Sequence, residues 1–171
     1  MKIWLITDTH FNHTMLIEKG FRPANFEERI EKNIKSSVKE DDILIHLGDI
    51  CMGRDGLVHE EIISKINCKK WLVRGNHDGK SDQWYIKNGW DFVGKRIYLK
   101  KFGQNITLSH KPVEYDHWYT INIHGHFHDN DHRTYEPELI AISNDKQKLL
   151  AIENTNYCPV LLEKFILGFQ K

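Results

Sequence analysis

The stretch Lys70-Trp-Leu-Val-Arg-Gly-Asn-His-Asp78 decides the fold. Its first half is a short apolar, β-branched and aromatic run that reads as a buried strand. Its second half turns abruptly polar and places an amide, an imidazole and a carboxylate side by side. The same grammar occurs twice upstream. Lys2-Ile-Trp-Leu-Ile-Thr7 is strand-like and runs into Asp8 and His10, and Asp42-Ile-Leu-Ile-His46 runs into Leu47-Gly48-Asp49.

Helical patterns fill the gaps between these strands. From Phe26 to Lys39, residues Phe26, Ile30, Ile34 and Val38 recur at four-residue intervals between charges, an apolar stripe with Asn25 as its N-cap. Leu57 to Ile66 carries Leu57, Val58, Ile62, Ile63 and Ile66 as a second helical face. The order is βαβαβ, with every strand ending in a loop of metal-capable residues. Side chains far apart in sequence converge in such a fold, because ligands bind in the crevice beyond the strands' carboxyl ends.

Past Trp90 the helical signal fades. Lys95 to Leu99, Ile106 to Ser109, Tyr119 to Ile123, Leu139 to Ile142 and Leu149 to Ile152 read as strands of a second, more antiparallel sheet. Pro159 to Phe169 reads as a closing helix, with Pro159 in its first turn.

Bulk properties narrow the classes. A chain of 171 residues fits one domain. Acidic and basic residues balance at 24 each, which gives no electrostatic footprint for long nucleic acid or an anionic membrane. No apolar run approaches bilayer length, and Cys51, Cys68 and Cys158 form neither a disulfide framework nor a zinc pattern. A soluble, unexported protein of the reducing cytoplasm is expected, with no membrane partner.

The 11 histidines call for an explanation. Asp8-Thr-His10 and His126-Phe-His128 each place two ligand types at i and i+2, a spacing that extended backbone presents on one side. With Asp49 they suggest two metals. Carboxylate and amide oxygens mixed with imidazole, without thiolate, favour Mn²⁺, Fe or Zn²⁺ over a structural zinc site.

Taken together, Asp8-x-His10, Gly48-Asp49, Gly75-Asn76-His77-Asp78, His110 and Gly125-His126-x-His128 resemble the calcineurin-like metallophosphoesterase superfamily over most of the chain. Each piece alone is weak, and five in order are specific. The resemblance implies an α/β/β/α four-layer sandwich and one metallophosphoesterase domain over residues 1–171. It assigns Asp8, His10, Asp49 and His128 to one metal and Asp49, Asn76, His110 and His126 to the other, with Asp49 bridging. It makes His77 the catalytic histidine, with Asp78 holding its ring. It implies two divalent ions, Mn first, with Fe, Zn or Ni as alternatives. Where many relatives have Gly-Asp-x-x-Asp, this chain has Gly48-Asp-Ile-Cys-Met52, losing a carboxylate that is usually no ligand.

Other residues carry weaker expectations. Asn12, His13 and Arg22 are candidate substrate contacts, although surface solvation is the ordinary role for Arg22 and for Arg54. Cys51 is read as a small buried residue. His46, His59, His117, His124 and His132 are assigned structural or surface roles. The segment from Lys111 to Tyr119 could cover an active site, although packing over the sheet explains Trp118 and Tyr119 equally well.

The expected activity is hydrolysis of a small phosphodiester, a cyclic nucleotide or nucleotide-derived ester included, by a metal-activated hydroxide. Phosphomonoester hydrolysis is the alternative, and a catalytically weak metal-binding scaffold for protein partners is the alternative of another class. A DNA-processing nuclease is disfavoured by the short chain and balanced charge. A small phosphate ester is the expected partner, and a homodimer is left open.

Overall fold

The computed structural model describes residues 1–129 and 136–168. His132 and the end of the expected closing helix, Phe169, lie outside the described residues. The first sheet contains β1 (Ile3–Ile6), β2 (Ile43–His46), β3 (Lys69–Val73), β4 (Phe92–Gly94) and β9 (Val160–Leu161), in the order β4-β3-β2-β1-β9. Strands β1 to β4 are parallel and β9 is antiparallel to β1. The second sheet has the order β5 (Arg96–Lys101), β6 (Gln104–Ser109), β7 (Ile121–His124), β8 (Gln147–Leu149).

Strand alternation divides the core in two. Trp4, Ile6, Leu44 and Leu72 face the helices α2 (Phe26–Ser37), α3 (Asp55–Glu61) and α4 (Asp82–Lys87), packing with Phe26, Ile30, Ile34, Val58 and Tyr85. Ile3, Leu5, Ile43, Ile45, Trp71 and Val73 point the other way, toward Ile97, Ile106, Leu108 and Ile123 of the second sheet. Period two in the strands thus builds the two inner layers, with one face for helices and one for the other sheet. On the far side, Asn122 is fully buried, donates to Thr107 and Ser109, and accepts the Val113 N–H. The 111–120 segment therefore covers this face with the short helix α5 (Pro137–Ala141), the two being joined through the Gln147 amide, which donates to Val113 and Ile142 carbonyls. The layer order is α/β/β/α, the last layer thin.

Several elements differ from the sequence reading. The second sheet is mostly parallel, since only β5 and β6 run antiparallel. Those two are joined by Phe102-Gly103, both at positive φ as a tight two-residue hairpin requires, whereas the other connections are long crossovers. Leu139 to Ile142 does not form a strand. Pro137 opens α5 there, and so short an apolar run cannot be typed by periodicity alone. The closing helix begins only at Leu162, as α6 (Leu162–Leu167), because Val160 and Leu161 pair with Leu5 and Trp4 instead. Leu57 to Ile66 is α3 followed by a 3₁₀ turn at Ile63–Lys65. Asn25 stands at the N-cap of α2 but makes no side-chain capping bond. The short helix α1 (Thr14–Glu18), helix α4 and strand β4 were not legible.

Because β1, β2 and β3 are parallel and β6 and β7 are parallel, all five end at one rim between the sheets. The loops that follow them carry every polar motif of the sequence.

Candidate metal centre

Two groups of side chains meet at that rim. Asp8, His10 and His128 form one, and Asp49, His110 and His126 the other, with the candidate ligand atoms of each group within 4.8 Å of one another. In the first, Asp8 Oδ1 lies 3.9 Å from His10 Nε2 and 3.8 Å from His128 Nε2. In the second, His110 Nε2 lies 3.2 Å from His126 Nδ1 and 2.9 Å from Asn76 Oδ1. Asp49 Oδ2 sits between them, 3.7 Å from His10 Nε2 and 3.4 Å from His110 Nε2.

The backbone that presents these groups is not extended. Asp8, His10, Asp49, His126 and His128 all have positive φ, between 47° and 72°. The i, i+2 spacing therefore works through left-handed turns, a correction to the extended reading. Asp and His tolerate this conformation better than most residues, and each such position still costs on the order of 1 kcal/mol. Backbone bonds between neighbouring loops fix it. Asp8 N–H donates to Gly48, His10 N–H to Asp49 and Phe11 N–H to Ile50.

Glycine precedes three of the ligand candidates because the loops touch there. A Cβ on Gly125 would overlap Thr7 Oγ1 and Asp8 Oδ2, one on Gly75 would overlap Asp49, and one on Gly48 would strike Gly75 and the His110 ring. Gly48 also has φ +100°.

The electrostatics call for positive charge. Asp8 Oδ2 accepts from Thr7 Oγ1 and the His126 N–H, but Asp8 Oδ1 is buried without a hydrogen-bond partner. A buried, unsatisfied carboxylate oxygen is costly unless a cation meets it. Burial alone would lower the His110 pKa, yet the hydrogen bond and charge of Asp49, with Asp8 nearby, push it up to about 9. Burial favours a neutral Asp49, but His110 and His10 hold its carboxyl well below the usual carboxylate range. His10 goes the other way, its pKa lowered by burial despite Asp49. The donor set of carboxylate oxygens, imidazole nitrogens and an amide oxygen suits divalent cations of intermediate hardness.

Carboxylates stand behind two of the imidazoles. Glu153 lies 3.1 Å from His128 Nδ1, and Glu136 meets His126 Nε2 and the Lys111 ammonium. Each fixes which nitrogen its histidine turns to the centre, Nε2 for His128 and Nδ1 for His126. Burial would raise the Glu153 carboxyl, but His128 and Arg22 bring it down to about 2. Neither glutamate stands in a motif, so only the folded chain reveals them.

The remaining site candidates divide. His77 is exposed, with Nε2 3.9 Å from Asp49 Oδ2 and its ring edge-on to His10. Asp78 does not hold that ring. Its Oδ2 accepts the N–H groups of Asp49 and Gly75 and its Oδ1 that of Ile50, so both oxygens are spent on tying two loops together. His13 stacks obliquely 5.3 Å from His10 and borders the site. Asn12 is turned away, its amide donating to Met52 O. Arg22 is neither solvated nor open to a ligand. It is 3% exposed, donates to the carbonyls of Asp8 and Thr9, and pairs with Glu153 at 2.6 Å. An arginine 12 residues beyond His10 gave no sign of that burial.

Among the other residues, His46 is buried and accepts the Gly48 N–H on Nδ1, so Nε2 carries the proton toward Thr9 Oγ1, which donates to Ile50 O. Its pKa is lowered to about 3 by burial. His59 bridges Asp55 O and the Trp90 indole. Burial pushes the Cys51 thiol up to about 12, which leaves it inert. Trp118 packs edge-on against Tyr98 and Tyr119 is buried beneath its loop, so both serve the second sheet. No helix among the described residues is long and apolar enough to cross a membrane.

Comparison with known proteins places this geometry in a wider set. The family described as calcineurin-like phosphoesterase matches residues 1–162. An uncharacterized protein of Methanocaldococcus jannaschii is 32% identical over 184 residues, covering 99% of this chain and 92% of its own. The crystal structure of a protein of unknown function from Aquifex aeolicus superposes with a TM-score of 0.77 at 24% identity, covering 98% of this chain and 99% of that one. The last likeness is one of fold.

Proposed function

The chain belongs to the calcineurin-like phosphoesterase family, and from that premise we propose that it hydrolyses a small phosphodiester at a centre of two divalent cations, manganese first among them. The observation that carries this reading is the position of Asp49, whose Oδ2 lies 3.7 Å from His10 and 3.4 Å from His110, one member of each side-chain group. A carboxylate so placed can serve both ions at once.

Asp8, His10 and His128 would hold one ion, and Asn76, His110 and His126 the other, with Asp49 shared. Two such cations, when bound, supply an acidified water and neutralise charge on the phosphoryl oxygens. The chain's own contribution is placement. Glu153 and Glu136 fix the imidazole faces, and Asp78 locks the Asp49 loop to the Gly75 turn.

His77 is the group left for proton transfer. It is exposed at the rim, its backbone N–H donates to Asp49 Oδ1 at 2.9 Å, and its ring is not committed to Asp78. In this role it donates a proton to the departing oxygen, a contribution on the order of 10²- to 10⁴-fold.

The test is a screen of protein reconstituted with Mn²⁺ against chromogenic mono- and diesters and against 2′,3′- and 3′,5′-cyclic nucleotides. Turnover of a diester that stops on chelation is the expected result. Two bound ions with no turnover of any of these esters would replace the enzyme by a binding scaffold.

A further inference from the structure

A cleft of about 600 Å³ opens beside the second group of site residues and shares Asn76 and His110 with it. Among the described residues its other charged lining is basic, from Arg74, Lys95, Arg96 and Lys111, and no acidic side chain lines it. In a chain with 24 acidic and 24 basic residues this is a local asymmetry that the overall balance hides.

The topology explains the convergence. Lys95 and Arg96 lie where the chain crosses from β4 of the first sheet to β5 of the second. On one side, Arg74 N–H donates to Gly94 O, which sets the crossing against the turn that carries Asn76. On the other, Arg96 pairs in register with Ser109, the residue before His110.

Two of the four cations are already engaged. Arg74 pairs with Asp82 and donates to Asp78 O, and Lys111 pairs with Glu136. Lys95 and Arg96 are exposed, line the cleft and have no carboxylate partner among the described residues. Phosphate oxygens match such donors, and a guanidinium can bind them in bidentate fashion.

We propose that Lys95 and Arg96 bind a second phosphate of the substrate, which makes the substrate class a phosphodiester bearing a further terminal phosphate. This rests on the phosphoesterase reading for the neighbouring centre. The second phosphate would lie on the Asn76 and His110 side, along the seam between the sheets.

The experiment compares thymidylyl-thymidine with and without a 5′-phosphate. Calorimetric binding to protein without added metal is measured beside hydrolysis by the Mn²⁺-loaded protein. The 5′-phosphorylated dinucleotide should bind about tenfold more tightly, the scale of one or two charge-assisted hydrogen bonds, and the preference should shrink with added salt. In the double variant Lys95→Gln, Arg96→Gln, with its melting temperature recorded, the two ligands should bind within about twofold of each other. Equal or unmeasurable binding of both by the unaltered protein, or an undiminished preference in the folded double variant, would overturn the proposal. The salt series needs no variant and stands if the variant does not fold. Absence of hydrolysis of both dinucleotides and of every ester in the Mn²⁺ screen, with the binding preference intact, would sink the phosphoesterase reading alone. Hydrolysis of both dinucleotides without preference would sink the cleft alone.

Discussion

The Asp78 carboxylate accepts the backbone N–H of Asp49 at 2.9 Å, which makes it a clamp on the loop that presents Asp49. Two further N–H groups, of Ile50 and Gly75, complete its shell. Burial raises the Asp78 pKa even so, and the three donors favour the charged form.

Asp78→Asn offers an NH₂ where an oxygen now accepts, and should cost about 3 kcal/mol in denaturant unfolding. His77→Ala should leave the unfolding free energy within about 0.5 kcal/mol, because that side chain is exposed, while slowing turnover of esters with poor leaving groups. Loss of stability in His77→Ala and not in Asp78→Asn would reverse the two assignments.

Glycine substitutions separate contact from conformation. Gly125→Ala places a methyl group against Thr7 and the Asp8 carboxylate, and should destabilise the protein by about 2 kcal/mol or more while weakening metal uptake. Gly79→Ala meets nothing within 4 Å and has no positive φ, so thermal unfolding should shift by less than about 0.5 kcal/mol.

His46 carries a pH dependence whose sign follows from burial. Its pKa in the folded chain is about 3, below the value of about 6.5 expected unfolded. The unfolded state therefore takes up the proton first. The contribution is fully present above about pH 6.5 and is lost as pH falls toward 3, on the order of 4 kcal/mol in all. Nitrogen chemical shifts should show His46 neutral at pH 5 with its proton on Nε2. An imidazolium signal there would contradict the Gly48–His46–Thr9 chain of bonds.

Glu153 bears on one ion only. Glu153→Gln removes the charge that faces His128 Nδ1 and leaves Arg22 buried without its partner. Metal titration should show one of two sites weakened by about 10- to 100-fold, with the other unchanged. Equal weakening of both would mean that the variant disturbs the fold at large.

What the sequence revealed, and what it concealed, has a physical pattern. The parallel strands were legible because Ile3 to Ile6, Ile43 to Ile45 and Trp71 to Val73 are buried on both faces, which demands continuous apolar runs. The polar motifs were legible because chemistry restricts them to few residue types. Glu136, Glu153 and Arg22 were not, since their roles depend on which distant residue they meet. Asp78 was misread for the same reason, as adjacency to His77 in sequence says nothing of where its oxygens point. The helix at Pro137 and the strand at Val160 were lost among short apolar runs that fit either period.

The central claim, a pair of cations sharing one carboxylate, is most directly tested by elemental analysis of Mn²⁺ after equilibration and desalting, on the unaltered chain and on Asp49→Ala. Two ions per chain in the first and fewer than two in the second is the predicted result. Two ions retained by Asp49→Ala would contradict it.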